Sequence, residues 1–403
     1  MQENDLAKTI KSLAEELRPE LVRVRRHLHE NPELSYQEFE TSAFLRRHLQ
    51  KAKLEVRTDY AETGAVGILR GRQEHPVVAI RGDIDALPIE EKTGLPFASK
   101  HPGVMHACGH DLHAAAALGA GLILARLRER LPGTVKIILQ PGEEKNPGGA
   151  AVMIRNGVLK DPDVDVIFGL HSDPRFRAGE MGYKPGMMMA EPDEFYLTIR
   201  GKSGHGSAPH LTVDPVVIAA EVVLALQKIP SRMIDPYEHV VVTVGKIAGG
   251  YTTNVIPDTV ELVGTVRTFR RGLAEEIERL MRRIVSGITA AYGAEFDLRF
   301  EYGYPPLIND EKITEFVADR GREYFGEPHC HLIERPSFGG EDFAFYLQHV
   351  KGCFFRLGTG NPEKGISAYW HNSAYTVDED ALPAGAGFLA YLAVKYMETH
   401  ANQ

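Results

Sequence analysis

The spacing of apolar residues changes character along the chain. Between about residues 7 and 52 it is helical, through Leu13, Leu17, Leu21 and Val24, with a second run starting after Pro32. From Val77 short β-branched runs take over. Residues 77–81 stop at Gly82-Asp83-Ile84-Asp85, 134–140 stop at Pro141-Gly142, and 164–170 stop at His171. An Ala-rich helix is predicted over 111–130. Continuous apolar strands alternating with helices predict a mostly parallel sheet covered on both faces.

The pattern changes again over 188–302. Residues 195–200 alternate like a half-exposed strand, and Asp214-Pro215 offers an N-cap and first-turn proline for a helix reaching Lys228. Valine-rich 239–246, then 259–269, a helix over 273–292 and a strand over 295–302 complete a β-α-β-β-α-β order, the ferredoxin-like arrangement. The first pattern then resumes, with a helix near 310–325, a strand at 353–357 and a helix over 382–399. The expectation is an α/β chain with a discontinuous domain, 1–187 and 303–403, and a second domain, 188–302, inserted into it.

Composition adds exclusions. The 403 residues carry a formal charge of −9 without a basic block, which argues against nucleic acid as a partner. The longest apolar runs, 114–125 and 381–394, fall short of the ~18 residues that suggest a membrane span. The beginning of the chain has no apolar segment of the secretory kind. Cys108, Cys330 and Cys353 are odd in number and far apart, unlike a disulfide framework, so a reduced, cytoplasmic setting is expected.

Ligands of open α/β sheets bind beyond the carboxyl ends of the strands. There the chain places Asp83 and Asp85, Glu143 and Glu144, and His171, with His371 in a loop after the 353–357 strand. Cys108-Gly109-His110 precedes the Ala-rich helix, and thiolate and imidazole two residues apart suit zinc and similar ions. Taken alone, Cys-Gly-His could be a buried cysteine beside a loop histidine, and Glu143-Glu144 a solvated acidic turn. Their shared position at the strand ends favours a hydrolytic metal site, which needs a Lewis acid and a base. The chain lacks a nucleophile elbow, a C-x-x-C pair and the Lys-Ser/Thr of a phosphate loop.

Five segments together resemble the M20 metallopeptidase family, nearest its amidohydrolase branch of hippurate hydrolases, N-acyl-amino-acid deacylases and indole-acetyl amino-acid hydrolases. They are Arg26 to Ser35 (RHLHENPELS), Arg81 to Pro88 (RGDIDALP), Met105 to Asp111 (MHACGHD), Gln140 to Glu144 (QPGEE) and Trp370 to Ser373 (WHNS). The resemblance implies a zinc-exopeptidase-like three-layer catalytic domain with an inserted ferredoxin-like lid and dimerisation domain. It implies two divalent ions (Zn, Mn, Co or Ni) on Cys108, His110, Glu144, His171 and His371, with Glu143 as general base and Asp85 orienting a ligand. It further implies a lid histidine, His205, supporting the oxyanion, and substrate contacts from Asn254, Arg267, Gly339 and Gly340. Asp83 stands where peptidase branches carry a ligand histidine, which points toward amidases. His27, His29, His106 and His113 match no ligand position.

The implied activity is hydrolysis of N-acyl amino acids by a homodimer or homotetramer joined through the inserted domain. A dipeptidase or carboxypeptidase is the alternative, although no acidic site for a free amino terminus can be assigned. A non-catalytic binder on the same scaffold would have no need of Glu143.

Overall fold

The computed structural model describes residues 3–401. It divides into two compact units. The first comprises the chain up to Gly186, Ile308–Arg335 and everything from Asp342 onward; the second is Met187–Leu307 with Pro336–Glu341.

The first unit is built on an eight-stranded sheet. Its strand order is Glu55–Tyr60, Gly64–Arg70, Thr134–Gln140, Val77–Asp83, Val166–Arg177, Lys351–Gly360, Met181–Tyr183 and Cys330–Leu332. The four central strands are parallel. Two antiparallel strands, Glu55–Tyr60 and Gly64–Arg70, extend one edge, so the sheet is mixed. Val77–Asp83 and Thr134–Gln140 are buried along their whole length, which is why they read as unbroken apolar runs.

Adjacent residues of one strand identify the layers. Phe168 packs toward Phe316 and Tyr396 on the helical side. A Cβ on Gly169, pointing the opposite way, would lie 2.7 Å from the Phe343 ring. One face therefore carries long helices and the other the segment Asp342–Gln348, giving three layers. Helix His110–Arg126 packs against Ala381–His400 and Glu3–Glu30. It approaches so closely that a Cβ on Gly119 would sit 2.8 Å from both Ala386 and Leu21.

The second unit is a four-stranded antiparallel sheet, in the order Val241–Gly249, Thr259–Thr268, Glu191–Arg200, Glu295–Glu301. Alternating burial along Glu191–Arg200 marks one covered face. Helices Pro215–Leu226 and Leu273–Tyr292 cover it, closing a core that includes Phe195, Leu197, Val222, Leu262 and Met281. Asp214 caps the first helix by accepting from Val216 N at 2.9 Å, with Pro215 in the first turn. Among the described residues no helix is long and apolar enough to cross a membrane.

Candidate metal centre

Strand ends and turns of the first unit converge on Cys108. Gly109, with φ 89°, bends the chain into helix His110–Arg126, and a Cβ there would meet Ser172 Oγ at 2.4 Å and Tyr375 Oη at 2.9 Å. Only glycine fits that bend, so Cys108 and His110 are presented together on either side of it.

Hydrogen bonds fix two of the imidazoles, His110 and His171, with lone pairs inward. His110 Nδ1 donates to the Asp85 backbone oxygen at 3.0 Å and to Asp85 Oδ1 at 3.1 Å. That leaves His110 Nε2 as an acceptor, and it is buried with no hydrogen-bond partner. His171 Nδ1 donates to Ser172 O at 2.8 Å, leaving Nε2 3.4 Å from Cys108 Sγ. His371 has φ 60°, a conformation rare outside glycine, and its N–H is pinned to Ala107 O at 2.8 Å. Its Nε2 lies 3.3 Å from Glu144 Oε1, which is also buried and without a hydrogen bond.

The donor atoms form overlapping triads, each within 4.8 Å: Cys108–His110–His171, Cys108–Glu144–His371 and His110–Glu143–Glu144. The first two share Cys108. Thiolate, imidazole and carboxylate donors, with His110 Nε2 and Glu144 Oε1 buried and free of hydrogen bonds, would suit a pair of zinc-like cations. A further triad, Asp83–His110–His113, lies behind them.

The electrostatics agree with a site built for cations. Burial, and then Glu144, push the Cys108 thiol up. The neighbouring Cys108 thiol and Glu144 carboxylate lift His371 to about 10. Burial, with His113 and Arg356 adding to it, drives His171 well below the ordinary histidine range. Burial alone would raise Asp83, but Arg81, His110 and His113 hold its carboxyl well below the usual value.

The structure brings Cys108, His110, Glu143, Glu144, His171, His371 and Asp85 together. Two details differ from the sequence reading. His171 lies inside the strand Val166–Arg177 rather than after it, and Asp83 is the last residue of its own strand. The other candidates belong to the second unit. His205 is exposed, paired in register with Val255, and its Nδ1 lies 2.8 Å from Ser207 Oγ. Asn254 O accepts from Gly206 N at 2.8 Å. Arg267 is half-buried, and burial lowers its pKa against the opposing pull of Asp193 and Glu194. Gly339 and Gly340 lie in Pro336–Glu341, where Gly339 O accepts from Ala190 N at 3.1 Å.

Sequence reasoning missed a buried polar chain under the centre. His113 Nε2 accepts from Ser172 N at 2.7 Å, so its Nδ1 carries the proton and donates to Asp83 Oδ1 at 2.7 Å. Arg81 joins Asp83 Oδ2 (2.6 Å) to Asp342 Oδ1 (2.9 Å), and Gln140 Nε2 donates to both Asp342 oxygens at 2.8 Å. The three-residue spacing of His110 and His113 on one helix face was the available signal.

Comparison with known proteins agrees with this geometry. Residues 79–395 match the model of peptidase family M20/M25/M40. An N-acetyl-L-cysteine deacetylase of Bacillus subtilis is 41% identical over 385 residues, 95% of this chain and 90% of that protein. An N-acyl-L-amino acid amidohydrolase of Geobacillus stearothermophilus is 46% identical over 301 residues, 74% and 80% of the two chains. A crystal structure described as a dinuclear metal binding peptidase of this family, also from Bacillus subtilis, superposes with a TM-score of 0.82. It is 37% identical, over 96% of this chain and 99% of that one.

Proposed function

The chain belongs to peptidase family M20/M25/M40, and from that premise we propose that it hydrolyses the amide bond of N-acyl amino acids, releasing a carboxylic acid and the free amino acid. The observation that carries this reading is the pair of triads sharing Cys108, with Glu143 beside them.

Cys108, His110, Glu144, His171 and His371 would hold two divalent cations, zinc, manganese, cobalt or nickel. When bound, such a pair supplies Lewis-acid stabilisation of the charge that develops on the amide oxygen. Asp85 keeps His110 in the tautomer that offers Nε2, a role usual for carboxylates behind metal-ligating histidines. Glu143, largely buried, takes the proton of the attacking water and returns it to the leaving amine nitrogen. His205 is assigned to the oxyanion. The Arg267 guanidinium suits the free carboxylate of the substrate, with Asn254 and the backbone of Gly339 and Gly340 completing its contacts. The second unit is assigned as lid and as the surface joining two or four copies, and the setting as cytoplasmic.

The test is apo-protein reconstituted with each of the four metals and assayed against N-acetyl and N-benzoyl amino acids, with a simple dipeptide alongside. Turnover of the acylated compounds above the dipeptide is expected. Preferential cleavage of the dipeptide would overturn the amidohydrolase reading. Glu143→Gln should keep its metal and lose ~10²–10⁴-fold in kcat, and near-normal turnover would overturn the base assignment.

A further inference from the structure

The RHLHENPELS stretch and the residues after it have no part in the proposed chemistry, yet Ser35, Tyr36 and Glu38 touch the residues around the general base. The Glu38 side chain is completely buried. One carboxyl oxygen accepts from Gly142 N at 2.9 Å and the other from Thr63 Oγ1 at 2.7 Å. Gly142 has φ 64°, and its carbonyl accepts from Gly149 N at 3.0 Å, so both sides of the residue preceding Glu143 are tied. The Tyr36 ring fills the remaining space, 2.6–3.0 Å from where a Cβ on Gly142 would lie.

The same segment reaches the far side of the Glu143-Glu144 pair. Ser35 Oγ donates to Asp85 Oδ2 at 2.7 Å, and that oxygen also accepts from Glu144 N at 3.0 Å. The segment is itself anchored. Glu33 O accepts from Ala86 N at 2.8 Å, and Glu33 Oε2 accepts from Thr41 N at 2.8 Å in the first turn of helix Phe39–Lys51.

We propose that Glu38 is a positioning residue for the reaction: through the Gly142 N–H it sets where the Glu143 carboxylate stands relative to the substrate amide. The inference rests on the assignment of Glu143 as the base. The two anchors act on different residues. Glu38 holds the backbone before Glu143, whereas Asp85 holds Glu144, the metal donor. Removing the first anchor leaves the second intact, so proton transfer suffers more than metal binding. A displacement of the order of 1 Å is enough for a ~10²-fold loss of rate.

The experiment measures kcat, KM, zinc affinity by chelator competition and thermal midpoint on the zinc-loaded enzyme, using its best N-acyl amino acid. Glu38→Ala is expected to lower kcat by about 10–100-fold, with KM and zinc affinity within about threefold of the parent. Glu38→Gln should recover kcat to within about threefold, because its amide oxygen accepts from Gly142 N and its amide nitrogen donates to Thr63 Oγ1. Glu38→Asp keeps the carboxyl group but draws it back by one methylene, and should lose activity even where the alanine variant does not fold. Thr63→Val breaks the outer bond alone and should lower the midpoint without lowering kcat.

A kcat in Glu38→Ala within twofold of the parent overturns the proposal. So does an aspartate variant more active than the glutamine one, or a Thr63→Val loss of kcat equal to that of Glu38→Ala. Glu143→Gln runs in parallel. If it stays active, the base assignment falls; if it is inactive while Glu38→Ala is normal, only the positioning role falls.

Discussion

Replacing Asp83 by Asn tests the polar chain beneath the centre. Asp83 and Arg81 are fully buried, and Asp83 receives one bond from Arg81 and one from His113. Asparagine has a single acceptor oxygen. If that oxygen faces Arg81, its amide N–H₂ points at the His113 Nδ1 proton. If His113 changes tautomer to relieve this, its Nε2 proton meets the Ser172 N–H now 2.7 Å away. One donor–donor conflict survives in either arrangement, costing about 1–3 kcal/mol. The lost charge adds to it: removing one partner of a buried ion pair costs about 3–5 kcal/mol, less here because Arg81 keeps Asp342.

A total near 3–5 kcal/mol is therefore expected for Asp83→Asn. Urea unfolding followed by circular dichroism measures it, for Asp83→Asn, His113→Asn and the double variant. Because the two side chains share one bond, the cycle should show a coupling above about 1 kcal/mol. Additivity within about 0.5 kcal/mol, or a single variant as stable as the parent, would refute the tautomer argument.

Three further results are expected. Gly142→Ala forces a left-handed conformation on an L-residue and drives a methyl into the Tyr36 ring. It should cost about 2–4 kcal/mol by thermal unfolding and should also lower kcat. Glu191 is raised to about 8 by burial, with Asp193 and Glu275 adding to the shift. A carboxyl whose folded pKa is raised loses stability as pH climbs from the unfolded value, ~4.3, toward the folded one. Glu191→Gln should therefore leave the unfolding free energy unchanged near pH 4, and raise it progressively to pH 8, by about 2 kcal/mol after allowing for solvent screening. An equal shift at every pH would contradict this. Peroxide treatment of the metal-free protein, followed by reduction-free zinc reloading, should destroy recoverable activity through Cys108 faster than the same treatment of the zinc-loaded enzyme, because a bound thiolate is protected; equal rates would count against Cys108 as a ligand.

Local rules made much of the fold legible. The strand read at 134–140 is Thr134–Gln140, and the helix read at 273–292 is Leu273–Tyr292. The Asp214-Pro215 start is capped as its chemistry requires. What sequence did not reveal depends on the third dimension. The turn joining Glu55–Tyr60 to Gly64–Arg70 takes positive φ at Asp59, Ala61 and Glu62 rather than at glycine, so no turn signal announces the antiparallel edge. His171 belongs to a strand that continues to Arg177, because the neighbouring strand Lys351–Gly360 gives it a partner in register beyond the apolar run. Asp342 lies 261 positions from Arg81, and no local pattern links them. Glu38 and His113 look like surface polar residues in the sequence; burial against the centre turns them into its supports.

Metal content of the purified chain after zinc loading and dialysis tests the central claim most directly, because Cys108 is the donor common to both triads. Two zinc equivalents per chain are expected for the parent. Cys108→Ser, with its fold intact by circular dichroism, should retain fewer than one. A parent that holds no transition metal, or a Cys108→Ser variant that keeps both ions with undiminished affinity, would contradict a paired-cation centre gathered around that sulfur.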